Sequence, residues 1–322
     1  SRYLPSHRYK RLVMTFNSEE VTSELTTILD YIRFATSQFN QADLFFGHGT
    51  QSAHDEAVAL VLHTLNQPYD LSKEYLSAVL TVRERQTVVE KMQQRITTRK
   101  PLAYLTHEAI FAGLSFYVDE RVLVPRSPIA ELIEQQFMPW VEAEHVDRIL
   151  DLCTGSGCIA LACAHAFPEA QVDAVELSPD ALAVATMNIE RHGLQDRGVA
   201  IESDLFLAVD QRYDLIVSNP PYVNQEELRG LPQEYHAEPA MGFDGGVSGL
   251  DIVIRMLAEA ENFLTSQGIL VVEVGSSAEP LQEAFPNVPF YWLDFERGGD
   301  GVFLLTAEQV SQFTDLFKTA LK

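Results

Sequence analysis

Asn219-Pro220-Pro221-Tyr222 directly follows the apolar run Tyr213-Asp214-Leu215-Ile216-Val217-Ser218. The run reads as a buried parallel strand, and the tetrapeptide begins where the strand stops. In open α/β sheets, ligands bind at the carboxyl ends of strands. The Asn219 side chain offers a carbonyl oxygen there. Each proline lacks an N–H and has a fixed φ, and Asn219 is held extended because it precedes Pro220. The Pro220 carbonyl is therefore free and rigidly aimed. Two acceptors in a fixed relation suit an –NH2 group, and Tyr222 can wall a planar one. Such a site positions an amide or exocyclic amine for attack through nitrogen. Pro-Pro alone is usually only a turn. Its place at a strand end, together with a motif upstream, supplies the chemical reading.

The upstream motif starts with Arg148-Ile149-Leu150-Asp151-Leu152, which reads as a strand. Cys153-Thr154-Gly155-Ser156-Gly157 follows, then a helical run from Cys158 to Phe167. Glycines at a strand-to-helix turn let the backbone approach a ligand closely. The third glycine of a dinucleotide fingerprint is absent, since position 160 is Ala160. The next strand, Gln171 to Glu176, ends in a carboxylate. That acid falls roughly 20 residues after the glycine turn, where a ribose-binding acid is expected. Ser178 is a candidate N-cap with Pro179 at the first helical position. A third strand near Val199 to Glu202 leads to Ser203-Asp204-Leu205-Phe206, placed to border an adenine.

Together these segments resemble the class I S-adenosylmethionine-dependent methyltransferases. Asn-Pro-Pro-Tyr narrows the resemblance to enzymes that methylate an amide or amino nitrogen. From about Met14 onward the chain resembles the protein-(glutamine-N5) methyltransferase family. Within it, the chain is similar to the branch acting on large-subunit ribosomal protein L-three. Phe46-Gly47-His48-Gly49-Thr50, the run from Tyr117 to Ile129, and the tail Val288 to Leu293 with Gly298 to Phe303 carry that finer match. The release-factor branch has Pro-Glu-Thr where this chain has Ser127-Pro128-Ile129. The resemblance implies S-adenosylmethionine contacts from Asp151, Cys153, Thr154, Gly155, Ser156, Gly157, Glu176, Asp204, Leu205 and Asn219. It implies catalytic roles for Asn219, Pro220 and Tyr222, with Pro221 completing the substrate contacts. Glu176 replaces the family's more usual Asp, and Glu238-Pro239-Ala240-Met241 lacks a second acid common in relatives. Arg126 is expected to border the site or to serve as an ion-pair partner. The alternatives are glutamine methylation of release factors, adenine-N6 methylation of nucleic acid, and a non-catalytic assembly factor that uses the fold for binding.

Charge separates these readings. The net charge is −23, with 46 acids against 23 Lys and Arg. A duplex reader needs clustered bases to neutralise phosphates, so charge counts against a nucleic-acid substrate. An acidic enzyme attracts a basic protein such as a ribosomal one. No apolar run approaches the ~18–20 residues needed to span a bilayer. No secretory signal is visible, and a cytoplasmic setting is expected. Cys153, Cys158 and Cys163 suit neither a disulfide framework nor a zinc site, and no metal is expected.

The elements that must position the motifs fall into an ordered series. Residues 1–13 read as a disordered extension. Residues 14–106 read as a helical substrate-docking domain, including one helical stretch from Tyr75 to Arg99 closed by Pro101. Residues 107–127 read as a β-hairpin linker, with Phe111 to Val124 as the alternating part. From 128 to 322 helix and strand alternate, implying an α/β fold with a mostly parallel sheet. The resemblance makes that sheet a seven-stranded, Rossmann-like one with an antiparallel last strand.

Overall fold

The computed structural model describes residues 16–223, 225–242, 244–246 and 249–322. The extension expected over 1–13, and Met14, lie outside the described residues. The chain divides into two compact units. One runs to His107 and takes in Pro232–Ala237; the other holds Glu108–Leu231 and Glu238–Lys322.

The first unit is helical: α1 Ser18–Glu24, α2 Ile28–Gln41, α3 Ala53–Thr64, α4 Val82–Thr98 and α5 Leu102–Thr106. Polar side chains satisfy the N–H groups left open at the helix starts. The Asn17 side chain accepts from Glu19 and Glu20, and capping boxes join Thr27 to Asp30 and Thr81 to Glu84. Each such cap contributes about 1 kcal/mol. The apolar faces meet around Tyr31, Phe39, Leu60, Val88 and Met92, all fully buried.

The helix expected from Tyr75 to Arg99 is broken. A 3-10 turn covers Lys73–Ser77, and α4 begins at Val82. Between them the chain is extended, because Val79 bridges Thr27 and the Leu80 N–H donates to the Thr26 carbonyl. Strand-like pairing thus takes residues that helical spacing alone would have kept. At its other end α4 closes on Arg99 at φ +57°, before the restriction that Pro101 imposes on Lys100.

Pro232–Ala237 joins this unit through a buried ionic network. The Arg95 Nε lies 3.0 Å from Glu56 Oε2, and Arg99 lies 3.0 Å from Glu234 Oε1. The Phe45 N–H donates to the same Glu234 oxygen, and Arg95 donates to the Phe45 carbonyl. The Tyr235 ring packs on His48 at 4.4 Å and on Phe45 at 5.3 Å between centroids. Phe45 and His48 therefore seat Tyr235, and the Phe45 backbone also holds Glu234. Burial pushes the Glu56 carboxyl up, and Arg95 opposes it. Removing Arg95 would leave the buried Glu56 carboxylate without its ionic partner, while Glu234 keeps Arg99. We expect Arg95→Ala to cost about 3–5 kcal/mol in urea denaturation. A loss below about 1 kcal/mol would show that the network contributes little.

The second unit opens with a hairpin, β1 Ala109–Phe111 and β2 Leu114–Phe116. Pairing stops at Phe116, short of the expected Val124. The Tyr117 N–H and C=O are instead taken by the fully buried Asn188 side chain, so no strand partner is needed. Then come α6 Ile129–Glu134, β3 Arg148–Leu152, α7 Cys158–Ala166, β4 Gln171–Glu176, α8 Pro179–Arg191, β5 Gly198–Glu202 and β6 Tyr213–Ser218. After α9 Gln225–Arg229 and α10 Asp251–Glu259 follow β7 Leu264–Glu273, α11 Ala278–Ala284, β8 Tyr291–Trp292, β9 Val302–Thr306 and α12 Ala307–Ala320. The seven-stranded sheet has the order β5-β4-β3-β6-β7-β9-β8. Strands β5, β4, β3, β6 and β7 pair in parallel, and β9 runs antiparallel between β7 and β8. This is the α/β fold of class I methyltransferases.

Alternate side chains on these strands feed two cores. Ile149, Leu215, Val217 and Val271 enter one; Leu150, Ile216, Leu270 and Val272 enter the other. The central strands are apolar on both faces because helices cover both. Among the described residues, no helix is long and apolar enough to cross a membrane.

Candidate active site

The site begins with a register. Leu152 of β3 pairs with Ser218 of β6, and the Ser218 hydroxyl donates to the Leu152 carbonyl. Cys153 and Asn219 therefore leave adjacent strand ends. From β3 the chain builds outward through β4 and β5, then returns to β6 on the opposite side of β3. That reversal opens the crevice in which α/β sheets bind ligands.

On one side lies the glycine turn. Cys153, Gly155 and Gly157 all have positive φ, at 60°, 55° and 85°. Gly157 also passes close to α8, where an added Cβ would meet Ala185 at 3.4 Å. Asp151 ties the turn to β3. Its Oδ2 accepts the Thr154 hydroxyl at 2.6 Å and the Ala160 N–H at 3.1 Å. Its Oδ1 is buried and has no hydrogen-bond partner among the described residues. Burial pushes the Asp151 carboxyl up to about 7, against the Thr154 and Ala160 hydrogen bonds. Glu176 closes the next strand end. Its oxygens accept the Gly155 N–H at 2.9 Å and the Ser178 N–H at 3.0 Å. Ser178 caps α8 with Pro179 at the first position, as its sequence suggests. The buried Ser156 gives its carbonyl to Asn188. On the third strand end, the Ser203 N–H donates to the Glu176 carbonyl. Asp204 pairs with Arg255 at 3.0 Å, and Leu205 turns at φ 52°. Burial, then Glu176 and Asp151, push the Cys153 thiol well above its ordinary range, so it is no thiolate nucleophile.

These groups fit S-adenosylmethionine, the cofactor the motifs imply. The strand-end carboxylate of Glu176 suits a ribose diol. The unpartnered Asp151 Oδ1 calls for an N–H donor or a cation, because a buried unsatisfied carboxylate oxygen is costly.

On the other side of the crevice stand Asn219 to Tyr222. Asn219 is half-buried and Pro220 buried. The Tyr222 hydroxyl donates to Glu273 Oε2 at 3.1 Å, and its carbonyl accepts the Ser277 hydroxyl at 2.7 Å. Its ring passes so near Gly275 that an added Cβ would lie 2.4 Å from it. Arg126 is turned toward Glu238, which it grips with two hydrogen bonds of 2.7 and 2.8 Å; the Val124 N–H joins at 2.9 Å. Arg126 is thus an ion-pair partner in the loop after the tetrapeptide.

Glu273, Ser127, Ser277 and Glu238 complete the site's framework; the sequence marks Ser127 and Glu238 only as members of longer motifs and gives neither a role in the site. Glu273 carries a usable signal: it ends an apolar strand in a carboxylate, as Glu176 does.

The Asp151 environment yields a pH prediction. In the free protein this carboxyl is partly protonated near neutrality. A cation or donor at Oδ1 favours the ionised form, so binding should release protons there. Cofactor affinity should then rise with pH up to about pH 8 and level off above. Calorimetry should show the slope in the native chain and its loss in Asp151→Asn. A flat profile in the native chain would remove Asp151 from the binding site.

Comparison with known proteins adds independent findings. Residues 134–233 match the family model "Methyltransferase small domain". The chain is 46% identical over 302 residues to the ribosomal protein uL3 glutamine methyltransferase of Francisella tularensis, covering 93% of this chain and 96% of that one. It is 51% identical over 293 residues to the protein of that name from Neisseria gonorrhoeae, covering 90% and 98%. The Neisseria meningitidis counterpart is 50% identical over 293 residues, covering 90% and 96%.

Proposed function

The chain belongs to the family of ribosomal protein uL3 glutamine methyltransferases, and we propose that it methylates the side-chain amide nitrogen of one glutamine in that large-subunit protein. Its methyl donor is S-adenosylmethionine. The observation that carries the reading is Asn219-Pro220-Pro221-Tyr222 at the end of β6, beside the glycine turn that leaves β3.

When bound, the cofactor supplies an electrophilic methyl group on a sulfonium. Glu176 would hold its ribose and Asp151 a donor or cationic group on it, while the turn from Cys153 to Gly157 and the Asp204-Leu205 segment would line its site. An amide nitrogen is a poor nucleophile because its lone pair is shared with the carbonyl. The Asn219 side-chain oxygen and the Pro220 carbonyl accept its two hydrogens and favour positive charge developing on nitrogen. Pro221 keeps this stretch extended, and Tyr222 packs on the amide plane. Holding nitrogen in line with the methyl group supplies much of the remaining acceleration. The proton leaves to water after transfer, so no strong base is required.

The helical unit is the proposed docking domain for the protein substrate, and the hairpin a linker to the 128–322 methyltransferase domain. The acidic balance of the chain suits a basic ribosomal protein and disfavours nucleic acid. We place the reaction in the cytoplasm, where ribosomal proteins are made.

Asn219→Ala should remove most single-turnover methyl transfer while leaving cofactor affinity nearly unchanged, because Asn219 addresses the acceptor. Near-native transfer in that variant would defeat the mechanism. With labelled cofactor and equal amounts of uL3 and a release factor, label should enter a uL3 glutamine, at a rate that falls as salt rises. Preferential labelling of the release factor would reassign the substrate.

A further inference from the structure

Tyr222 lies at the acceptor end of the proposed site, and its hydroxyl is held by a side chain that the mechanism does not use. Glu273, the last residue of β7, is 6% exposed. One of its oxygens accepts the Tyr222 hydroxyl at 3.1 Å, the other the Ser127 hydroxyl at 2.6 Å. Ser127 is fixed in turn, since its oxygen accepts the Ile129 N–H at 3.1 Å. Burial pushes the Glu273 carboxyl up; the two hydroxyls, and then the Arg126 charge, oppose it. The backbone on either side is equally constrained. The Val274 N–H donates to the Gly301 carbonyl at 2.7 Å, and Ser277 holds the Tyr222 carbonyl. A carboxylate buried to this degree is costly unless both oxygens are engaged. Here the two engaged groups are the ring beside the reacting amide and the serine of the Ser127-Pro128-Ile129 stretch.

We propose that Glu273 is a positioning residue for methyl transfer: anchored by Ser127, it fixes the Tyr222 ring against Gly275 and so sets the plane on which the acceptor amide rests. Ser127, within a stretch that separates this branch from the release-factor branch, thereby acts on the acceptor side of the site without touching substrate. The inference rests on the methyltransferase reading above.

A double-mutant cycle tests it with uL3 as acceptor. Glu273→Gln and Tyr222→Phe should each lower kcat by at least about tenfold with KM for the cofactor unchanged, since small misplacements of reacting groups are expensive. Because Glu273 acts through the tyrosine hydroxyl, the double variant should be no slower than Tyr222→Phe alone. Ser127→Ala, which removes only the anchor, should reproduce part of the Glu273→Gln loss, and Ser127→Thr should restore it. Losses that multiply in the double variant, unchanged kcat in Glu273→Gln, or weakened cofactor binding in step with kcat would each overturn the positioning role. A native chain that fails to methylate uL3 would instead overturn the functional reading, and this inference with it.

Discussion

The pairing of Leu152 with Ser218 is the constraint on which the site depends. It is one step in a parallel ladder, but it decides which two loops emerge side by side. Because side chains alternate along a strand, a slip of one residue would turn every core residue of β6 to the opposite face. The two cores forbid that slip: Leu215 and Val217 belong to one, Ile216 to the other. The buried packing of the sheet therefore fixes where Asn219 stands relative to Cys153. The Ser218 hydroxyl, bonded to the Leu152 carbonyl, ties the same step from its side chain. Positioning at the reacting centre is in this sense a property of the core.

Much of this was legible in the chain. Central strands buried on both faces read as apolar runs, and the runs ending in Leu152, Glu176 and Ser218 stop where the strands stop. The proline pair and the glycine turn carry backbone constraints that do not depend on distant residues. What escaped the sequence was pairing between distant positions. Nothing near Asn188 says that its amide will take the place of a strand partner for Tyr117. Nothing near Arg126 names Glu238, more than a hundred residues away. The strand-like pairing of Val79 with Thr27, which breaks the expected long helix, is of the same kind. Local pattern reports which face a residue prefers; it is silent on which remote group will satisfy a hydrogen bond.

Carboxylates near the site follow a common logic. Asp151, Glu176 and Glu273 each end a strand or stand one residue from its end, and each accepts hydrogen bonds from a neighbouring turn or loop. A buried carboxylate is tolerated only when its lone pairs are used. Each acid therefore organises the backbone or hydroxyl that serves it. Glu176 links the turns after β3 and β4, Asp151 shapes the turn after β3, and Glu273 holds Tyr222 and Ser127. Asp151 differs from the other two in keeping one buried oxygen unengaged. Stability alone would favour filling that position with a donor from the chain. In the proposed function that partner would come from the cofactor.

The distribution of charge bears on how a protein substrate reaches this site. Almost all of the acidic excess falls within Glu108–Leu231 and Glu238–Lys322, whereas residues 16–107 are close to balanced. Any long-range attraction of a basic partner would thus come from the unit that holds Asn219 to Tyr222. Such attraction speeds encounter and is screened by salt, but it selects poorly between two basic proteins. Selection between uL3 and a release factor must come from short-range contacts. The acceptor amide is the same group in both substrates, and in the proposed mechanism Asn219 and Pro220 would present the same two acceptors to either. Discrimination therefore lies in what surrounds the glutamine: the segments outside the tetrapeptide, and the side chains that set its geometry from behind.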